Sequence, residues 1–495
     1  MTRTERRIFI LACGLRLLLV VFVRAGHPAG GPGAAATFAV WGGDTFSYLD
    51  PVENLLRHGT YAQDLARPDT YAGRLPGYGL VYGMLRLLLA PGAAADVLVL
   101  LQVVLGLLAL YCLARLAQRA TQNPQAFHWT ALLFALNAYT PAFDVRILTE
   151  SFATSALIIG LYTLVKGRER EAAGLFLGAG GWLGWAVFLR PFLAPLLVLL
   201  ALSTVFALSK RGSWRRAVGR GALLLLPFLV ADGAWLARNW PWYHRLVPLQ
   251  SNSWAGYRTA PALTEASQFA GIIGDEPTWW EPTNDLAWLY QPGPARRNPF
   301  IDQPRKLAPP PDTADSRNKV RLLLGMAQDS TRPAPQRQWA ARRAGQALTR
   351  YAAAYQRRRP WQARVVVPLA LAYRLTLAHP ADYLYRQPYA ELSRAQQLLK
   401  IGVHLEYLAL VGLGLLGLVC SGWPRSWAAG LVKLVPLYLL VLLCGILHQV
   451  EFRYFAVAYP FVLVGAVGLM LQIQKWVRVW KRAASIRANS PVPRA

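Results

Sequence analysis

The feature that most restricts this chain is a series of long apolar runs separated by short basic connections. Crossing the hydrocarbon of a bilayer takes about 20 apolar residues, fewer where neighbouring helices or long polar side chains help. Runs of this kind lie at 8–24, 96–115, 126–142, 150–166, 173–190, 192–209, 221–238, 401–420, 429–447 and 455–474. The expected fold class is therefore all-α and transmembrane, with about ten spans by the length criterion. The shorter run YGLVYGMLRLLLA at 78–90 stops at Pro91-Gly92. It reads as a juxtamembrane helix or the first half of a broken one.

Composition agrees. Hydrophobic residues make up 54% of the chain and charged residues only 16%, against about 25% charged in soluble domains. An ordinary soluble enzyme and a disordered chain are both excluded. The 18 Trp, 21 Tyr and 18 Phe suit long membrane–water boundaries. A net charge of +28 would suggest nucleic acid in a soluble protein. Here the basic residues alternate with apolar spans, so membrane topology accounts for them and no nucleic-acid partner is expected. Cys13, Cys112, Cys420 and Cys444 fall in or beside apolar runs, giving neither a disulfide framework nor a CxxC metal site. The start, MTRTERRIFILACGLRLLLVVFVRAG, has the basic flank of a signal peptide. Arg16 interrupts its core and no A-x-A site follows, so an uncleaved first helix is expected.

Short loops rich in Lys and Arg mark the cytoplasm. They are 115–125, 166–172, 210–220 (KRGSWRRAVGR) and 421–428, together with the tail from Lys475. This pattern selects ten spans and places both termini in the cytoplasm. Two segments are then left on the outer, periplasmic face of a plasma membrane, 25–77 and 239–400. The expected organisation is an N-terminal transmembrane module (1–238), an outer loop region (239–400) and C-terminal helices with a basic tail (401–495). Within the large loop, 292–316 is Pro-rich and reads as extended, and 317–359 reads as helical with Arg-rich faces. Residues 361–378 read as an interfacial helix. No internal repeat supports an inverted-repeat transporter, and no Walker A loop supports an ATP-driven pump.

Several outer segments carry a resemblance. GGDTFSYLDPVENLLRHGTYAQD at 42–64 and AGRLPGYGLVYG at 72–83 resemble the first external loop of GT-C glycosyltransferases. They are most similar to the family 39-like group of protein O-mannosyltransferases and lipid A aminoarabinose transferases. ILTESFATSALI (147–158), ARNWPWYHRLVPLQSNSWAGY (237–257) and HQVEFRYFAVAYPFVLV (448–464) agree in order, spacing and side. The resemblance runs from the first to the last helix, omitting 258–360. It implies transfer of a sugar from a polyprenyl-phosphate donor to a lipid, glycan or protein acceptor on the outer face. Members often have an Asp-Glu pair where this chain has Asp44-Thr45, which argues against mannosyl transfer to protein.

Such chemistry needs a carboxylate to take the acceptor proton and cations to hold the departing phosphate. Asp44 is the expected base, although an Asp before TFSYL is also a good helix N-cap. Asp144 and Glu150, in the connection between the third and fourth spans, are substrate-binding candidates. Their ordinary accounts are a loop pair with Arg146 and a first-turn carboxylate favoured by the helix dipole. Arg74, Arg190, Arg238 and Arg453 are phosphate candidates, because guanidinium matches phosphate in a fork. For Arg190 and Arg238 the ordinary account is snorkelling to headgroups. Tyr78, Glu451 and Tyr454 join them from the family-like segments, with Glu451 positioned to orient Arg453. His244 and His448 read as interface histidines. A divalent cation is left open, with Asp44, Asp144 or Glu150 as its ligands; no HxxH, HExxH or Asp-x-Asp supports one. The alternatives are a lipid-linked sugar or polysaccharide transporter and a surface-polysaccharide polymerase or ligase on the same scaffold.

Overall fold

A computed structural model describes residues 1–27, 37–68, 71–210, 212–250, 262–273, 314–377, 384–420 apart from 386 and 388, and 422–489 apart from 425 and 449. The described chain is helical, and its one β-type contact is an isolated bridge. Its first half runs α1 (Arg3–Ala25), α2 (Thr45–His58), α3 (Pro76–Arg86), α4 (Pro91–Thr121), α5 (Gln125–Leu136) and α6 (Pro141–Asp144). It continues with α7 (Thr149–Arg170), α8 (Ala173–Leu189), α9 (Ala194–Ser209) and α10 (Trp214–Tyr243). Then follow α11 (Leu263–Ile273), α12 (Ala314–Gln328), α13 (Ala334–Arg358), α14 (Val367–Leu377), α15 (Arg394–Cys420), α16 (Trp427–Leu440) and α17 (Tyr459–Asn489).

Seven of these segments are long and apolar enough to cross a membrane, and the protein is a multi-pass, all-α membrane protein. They are Arg3–Ala25, Pro91–Thr121, Pro191–Ser209, Trp214–Tyr243, Arg394–Cys420, Trp427–Ile446 and Tyr459–Arg482. The other three expected spans are helices that miss the length or polarity criterion. The 126–142 run is broken after Leu136, where Asn137 turns the backbone into extended geometry. The 173–190 run stops at 17 residues, at Arg190. The 150–166 run lies in the 22-residue α7, which carries Thr, Ser and Glu side chains on a first turn buried by its neighbours. The juxtamembrane reading of 78–90 matches α3, only 11 residues long.

Small residues bring helices close. Gly414 and Gly417 on α15 meet the backbone of α17 around Val462 and Gly465, where any Cβ would collide. That is how membrane helices associate when lipid offers no hydrophobic driving force. Four free cysteines are present and none is paired. In the large loop region, 317–359 is helical as expected, and 361–378 forms a π turn (Gln362–Val366) running into α14. Most of the Pro-rich stretch 292–316, to residue 313, lies outside the described residues. Helices α11, α12 and α13 share their own apolar cluster around Phe269, Leu324 and Leu348.

One end of the bundle is organised by buried polar links. The Asp44 loop and the turn before α7 are zipped together by a parallel bridge between Val40 and Arg146. Val40 donates its N–H to the Val145 carbonyl at 2.8 Å. Gln102, fully buried on α4, donates to the carbonyls of Asp144 at 2.9 Å and Arg146 at 2.8 Å. It accepts from the Tyr78 hydroxyl at 2.9 Å. These carbonyls are turn groups without helical partners, so one amide satisfies what burial would otherwise leave costly.

Candidate functional site

Six charged side chains from five separate stretches of chain converge where these links hold the backbone. Asp44 ends the first loop, Arg74 precedes α3, and Glu150 stands in the first turn of α7. Arg190 terminates α8, and Glu451 and Arg453 lie in the connection between α16 and α17. The Asp44 carboxylate meets Arg453 at 2.6 Å and Arg74 at 3.7 Å. Arg453 also pairs with Glu451, and its Nε lies 3.4 Å from Glu150. Glu150 pairs in turn with Arg190. No side chain of the six is more than 11% exposed. Three carboxylates and three guanidiniums thus form one buried, alternating network.

Local sequence explains the placement. Pro76 starts α3 with its fixed backbone, and Gly77 lets that helix touch α8, since a Cβ there would lie 2.7 Å from the Phe188 carbonyl. Trp185 donates its indole N–H to the Gly77 carbonyl at 2.9 Å. Arg74 and Arg190, on either side of that contact, are brought to the same end. Arg453 is carried on a short 3-10 helix, Phe452–Val457, that Tyr139 anchors by donating to the Phe452 carbonyl at 2.8 Å.

Aromatic rings line the network. Tyr48 lies under Arg74, 4.5 Å from its guanidinium carbon, and packs on Tyr78 with centroids 5.5 Å apart. Tyr454 lies 5.2 Å under Arg190 and packs against Phe192. Low-dielectric walls of this kind strengthen every charge interaction inside them. Burial pushes the Glu451 carboxyl up to about 7 against the pull of Arg453, with Glu150 and Asp44 adding repulsion and Arg190 opposing it.

The Asp44 side chain makes no capping hydrogen bond to α2. The ordinary N-cap account of this residue is therefore replaced by contact with two guanidiniums. Seven of the sequence candidates, Asp44, Arg74, Glu150, Arg190, Glu451, Arg453 and Tyr454, come together, with Tyr78 one ring behind them. Two do not. Asp144 is buried and pairs with Arg16 of α1 at 2.6 Å, while Ser151 donates to its other oxygen at 2.6 Å. The expected exposed pair with Arg146 is thus corrected: Arg146 turns instead to the Ala142 carbonyl and His27. Arg238 donates to the carbonyls of Tyr71 and Tyr61 and stacks on Trp235, so it fastens the first loop to α10. Arg16, Tyr48 and Gln102 were not singled out as site residues from sequence. Tyr48 alone had a signal, the Ser-Tyr pair of the first-loop pattern.

No group of three or more His, Cys, Asp or Glu among the described residues is arranged to hold a metal ion. The carboxylates nominated as ligands each face a guanidinium instead, so the donor set does not match a cation site.

Comparison with known proteins bears on this arrangement. The sequence model of the Alg9-like mannosyltransferase family matches residues 77–253, just over a third of the chain. The GT-C resemblance drawn from the motifs is borne out at the level of the superfamily, although the matched family is the Alg9-like one. No curated protein matches. Among solved structures, the apo oligosaccharyltransferase of Archaeoglobus fulgidus aligns at 13% identity and a TM-score of 0.48, covering 99% of this chain and 53% of that one. The oligosaccharyltransferase AglB of the same organism, in complex with an inhibitory peptide and a dolichol-phosphate, aligns at 12% identity and a TM-score of 0.48. It covers 100% of this chain and 53% of that one. The chain thus spans about half the length of the solved proteins it aligns with.

Proposed function

We propose that the protein is an integral-membrane glycosyltransferase that moves a sugar from a polyprenyl-phosphate donor to an acceptor on the periplasmic face. The observation that carries this reading is the buried network of Asp44, Glu150, Glu451, Arg74, Arg190 and Arg453 at one end of the helical bundle. A transporter that only steers an anion has no need of carboxylates interleaved with its arginines. A transferase needs both, one to take a proton and the others to hold a phosphate.

In the reaction, Asp44 accepts the proton of the acceptor hydroxyl as that oxygen bonds to the anomeric carbon. The bond from that carbon to the phosphate oxygen breaks, and both electrons leave with the polyprenyl phosphate. Arg453 and Arg190 bind the negative charge that develops on the leaving phosphate, where preorganised cations act most strongly. Arg74 completes the cradle from the side of α3. Glu451 and Glu150 hold Arg453 and Arg190 in place before the donor arrives. Tyr48, Tyr78 and Tyr454 exclude water from the reacting carbon.

The test is direct. The purified protein, reconstituted in lipid nanodiscs, is offered a panel of polyprenyl-phosphate sugars, and release of polyprenyl phosphate is followed. Turnover of at least one donor, abolished by Asp44→Asn, is expected. Proven donor binding with no turnover of any donor would overturn the reading in favour of transport.

A further inference from the structure

Helices α11 to α14 of the large loop region, together a cap beside the bundle, present a charged surface that the network at the bundle end does not use. Between residues 330 and 381 the chain contains ten arginines and no Asp or Glu. Helix α13 buries Ala340, Ala344, Leu348 and Tyr355 against α11 and α12. Its opposite face is exposed and carries Trp339, Arg343, Arg350 and Arg357. The steps of four and seven residues keep these side chains on one side of a helix. Beyond the break at Arg359, the exposed face continues with Trp361, 69% exposed, and Arg364. Glu265, which approaches α13 at Gly345, does so on the buried side and leaves the exposed stripe without a neutralising carboxylate from that helix.

The same segment lies at the level of the site. Helix α14 buries Val367, Leu371 and Leu375 in the main core and leaves Leu369 and Tyr373 exposed at 65% and 61%. It packs on the end of the 427–446 span and on the Phe452–Val457 turn that carries Arg453. Tyr407 fastens it to α15 by donating to the Thr376 carbonyl at 2.7 Å. An exposed stripe of arginines and tryptophans, continued by apolar side chains at the rim of a membrane bundle, has the composition of an interfacial surface.

We propose that the stripe Trp339, Arg343, Arg350, Arg357, Trp361 and Arg364 docks on the phosphate headgroups of anionic phospholipids, drawing the cap onto the bilayer surface. Guanidinium forks match the phosphodiester, the indoles sit at headgroup depth, and no Asp or Glu within residues 330–381 competes for the arginines. A soluble polyanion would satisfy the arginines equally but gives Trp361, Leu369 and Tyr373 no apolar contact.

The experiment measures lipid selection rather than catalysis, so its outcome is independent of the glycosyltransferase reading. Protein is reconstituted in nanodiscs of phosphatidylcholine with 30% phosphatidylglycerol, and the lipids retained on extraction are counted by native mass spectrometry. Wild type is expected to retain phosphatidylglycerol above its bulk share. Each Arg→Gln change among Arg343→Gln, Arg350→Gln, Arg357→Gln and Arg364→Gln should lower that preference by up to about fivefold. The off-stripe pair Arg332→Gln and Arg342→Gln should leave it unchanged. Folding of each variant is checked by its helical circular dichroism and elution volume; a variant that misfolds is replaced by Arg350→Lys and Arg357→Lys, which keep the charge and should retain the preference. Equal retention of both lipids by wild type, an undiminished preference in the stripe variant, or equal loss in the off-stripe pair would each overturn the proposal. So would displacement of phosphatidylglycerol by soluble polyphosphate, which would make the surface a polyanion site.

Discussion

Replacing Asp44 by Asn removes a charge from the network while keeping the size of the side chain. The carboxylate is 7% exposed and faces Arg453 at 2.6 Å and Arg74 at 3.7 Å. In the variant, two buried guanidiniums lose their shared counterion, which makes the network more attractive to a phosphate. The same change removes the group that takes the acceptor proton, a loss of about 100- to 10,000-fold in turnover. The combined expectation is unusual: kcat collapses while the donor KM holds steady or falls. The assay is steady-state release of polyprenyl phosphate at varied donor, beside donor binding by calorimetry, so that binding and chemistry are read separately. Because Asp44 makes no capping hydrogen bond and Asn caps equally well, any loss of thermal stability should come from the uncompensated Arg453 and Arg74 charges, up to about 3–5 kcal/mol, rather than from a lost cap. Turnover within a fewfold of wild type, or a rise in KM with kcat unchanged, would refute the base assignment and turn attention to Glu150.

Three further outcomes follow from the same geometry. Arg16→Met strands the buried Asp144 carboxylate and should cost about 3–5 kcal/mol in detergent unfolding, with Arg16→Met/Asp144→Leu recovering most of it. Gln102→Leu takes a partner from the Tyr78 hydroxyl and from the Asp144 and Arg146 carbonyls, of which the Arg146 carbonyl keeps the Leu148 N–H at 2.9 Å. At about 1–3 kcal/mol per group it should destabilise the fold, and kcat should fall more than donor affinity because the Asp44 and Glu150 loops lose their shared support. For Glu451, burial raises the folded carboxyl from 4.5 to about 7, so the native state binds the extra proton in that window. Stability should therefore fall as pH rises from about 4.5 to about 7, by roughly 3 kcal/mol at most, and Glu451→Gln should flatten the curve; a pH-independent wild type would contradict the shift.

How much of this was legible in the sequence depended on whether the signal was local. Arg74, Pro76, Gly77 and Tyr78 sit within five residues and each acts through its neighbours, so their pattern could be read directly. Glu451, Arg453 and Tyr454 are similar, a short polar stretch between two apolar helices. Arg16 is the opposite case. It looked like a flaw in a signal-peptide core, and its carboxylate partner lies 128 residues away. The partner of Asp144 was hidden for the same reason: its neighbour Arg146 was visible, and Arg16 was not. Gln102 was one polar residue in a long apolar helix, and only the turn it faces gives it a role. Three of the ten expected spans fall below the length or polarity criterion, as α7 does with its polar first turn buried by other helices, because a hydropathy window does not distinguish lipid from protein surroundings.

The charge balance of the network carries one more step of argument. Three carboxylates against three guanidiniums leave no net charge to recruit a phosphate by field alone. A phosphate binding at this network must take Arg453 or Arg190 away from a carboxylate, and that carboxylate must then be neutralised or exposed. Burial raises the Glu451 carboxyl to about 7, so it is partly protonated at physiological pH. Its partner is Arg453, which also touches Asp44 and Glu150. Protonation of Glu451 would therefore release one guanidinium contact to the donor. On the proposed reaction, the cluster would thus offer a base and a phosphate site within one side chain's reach of each other without the two cancelling.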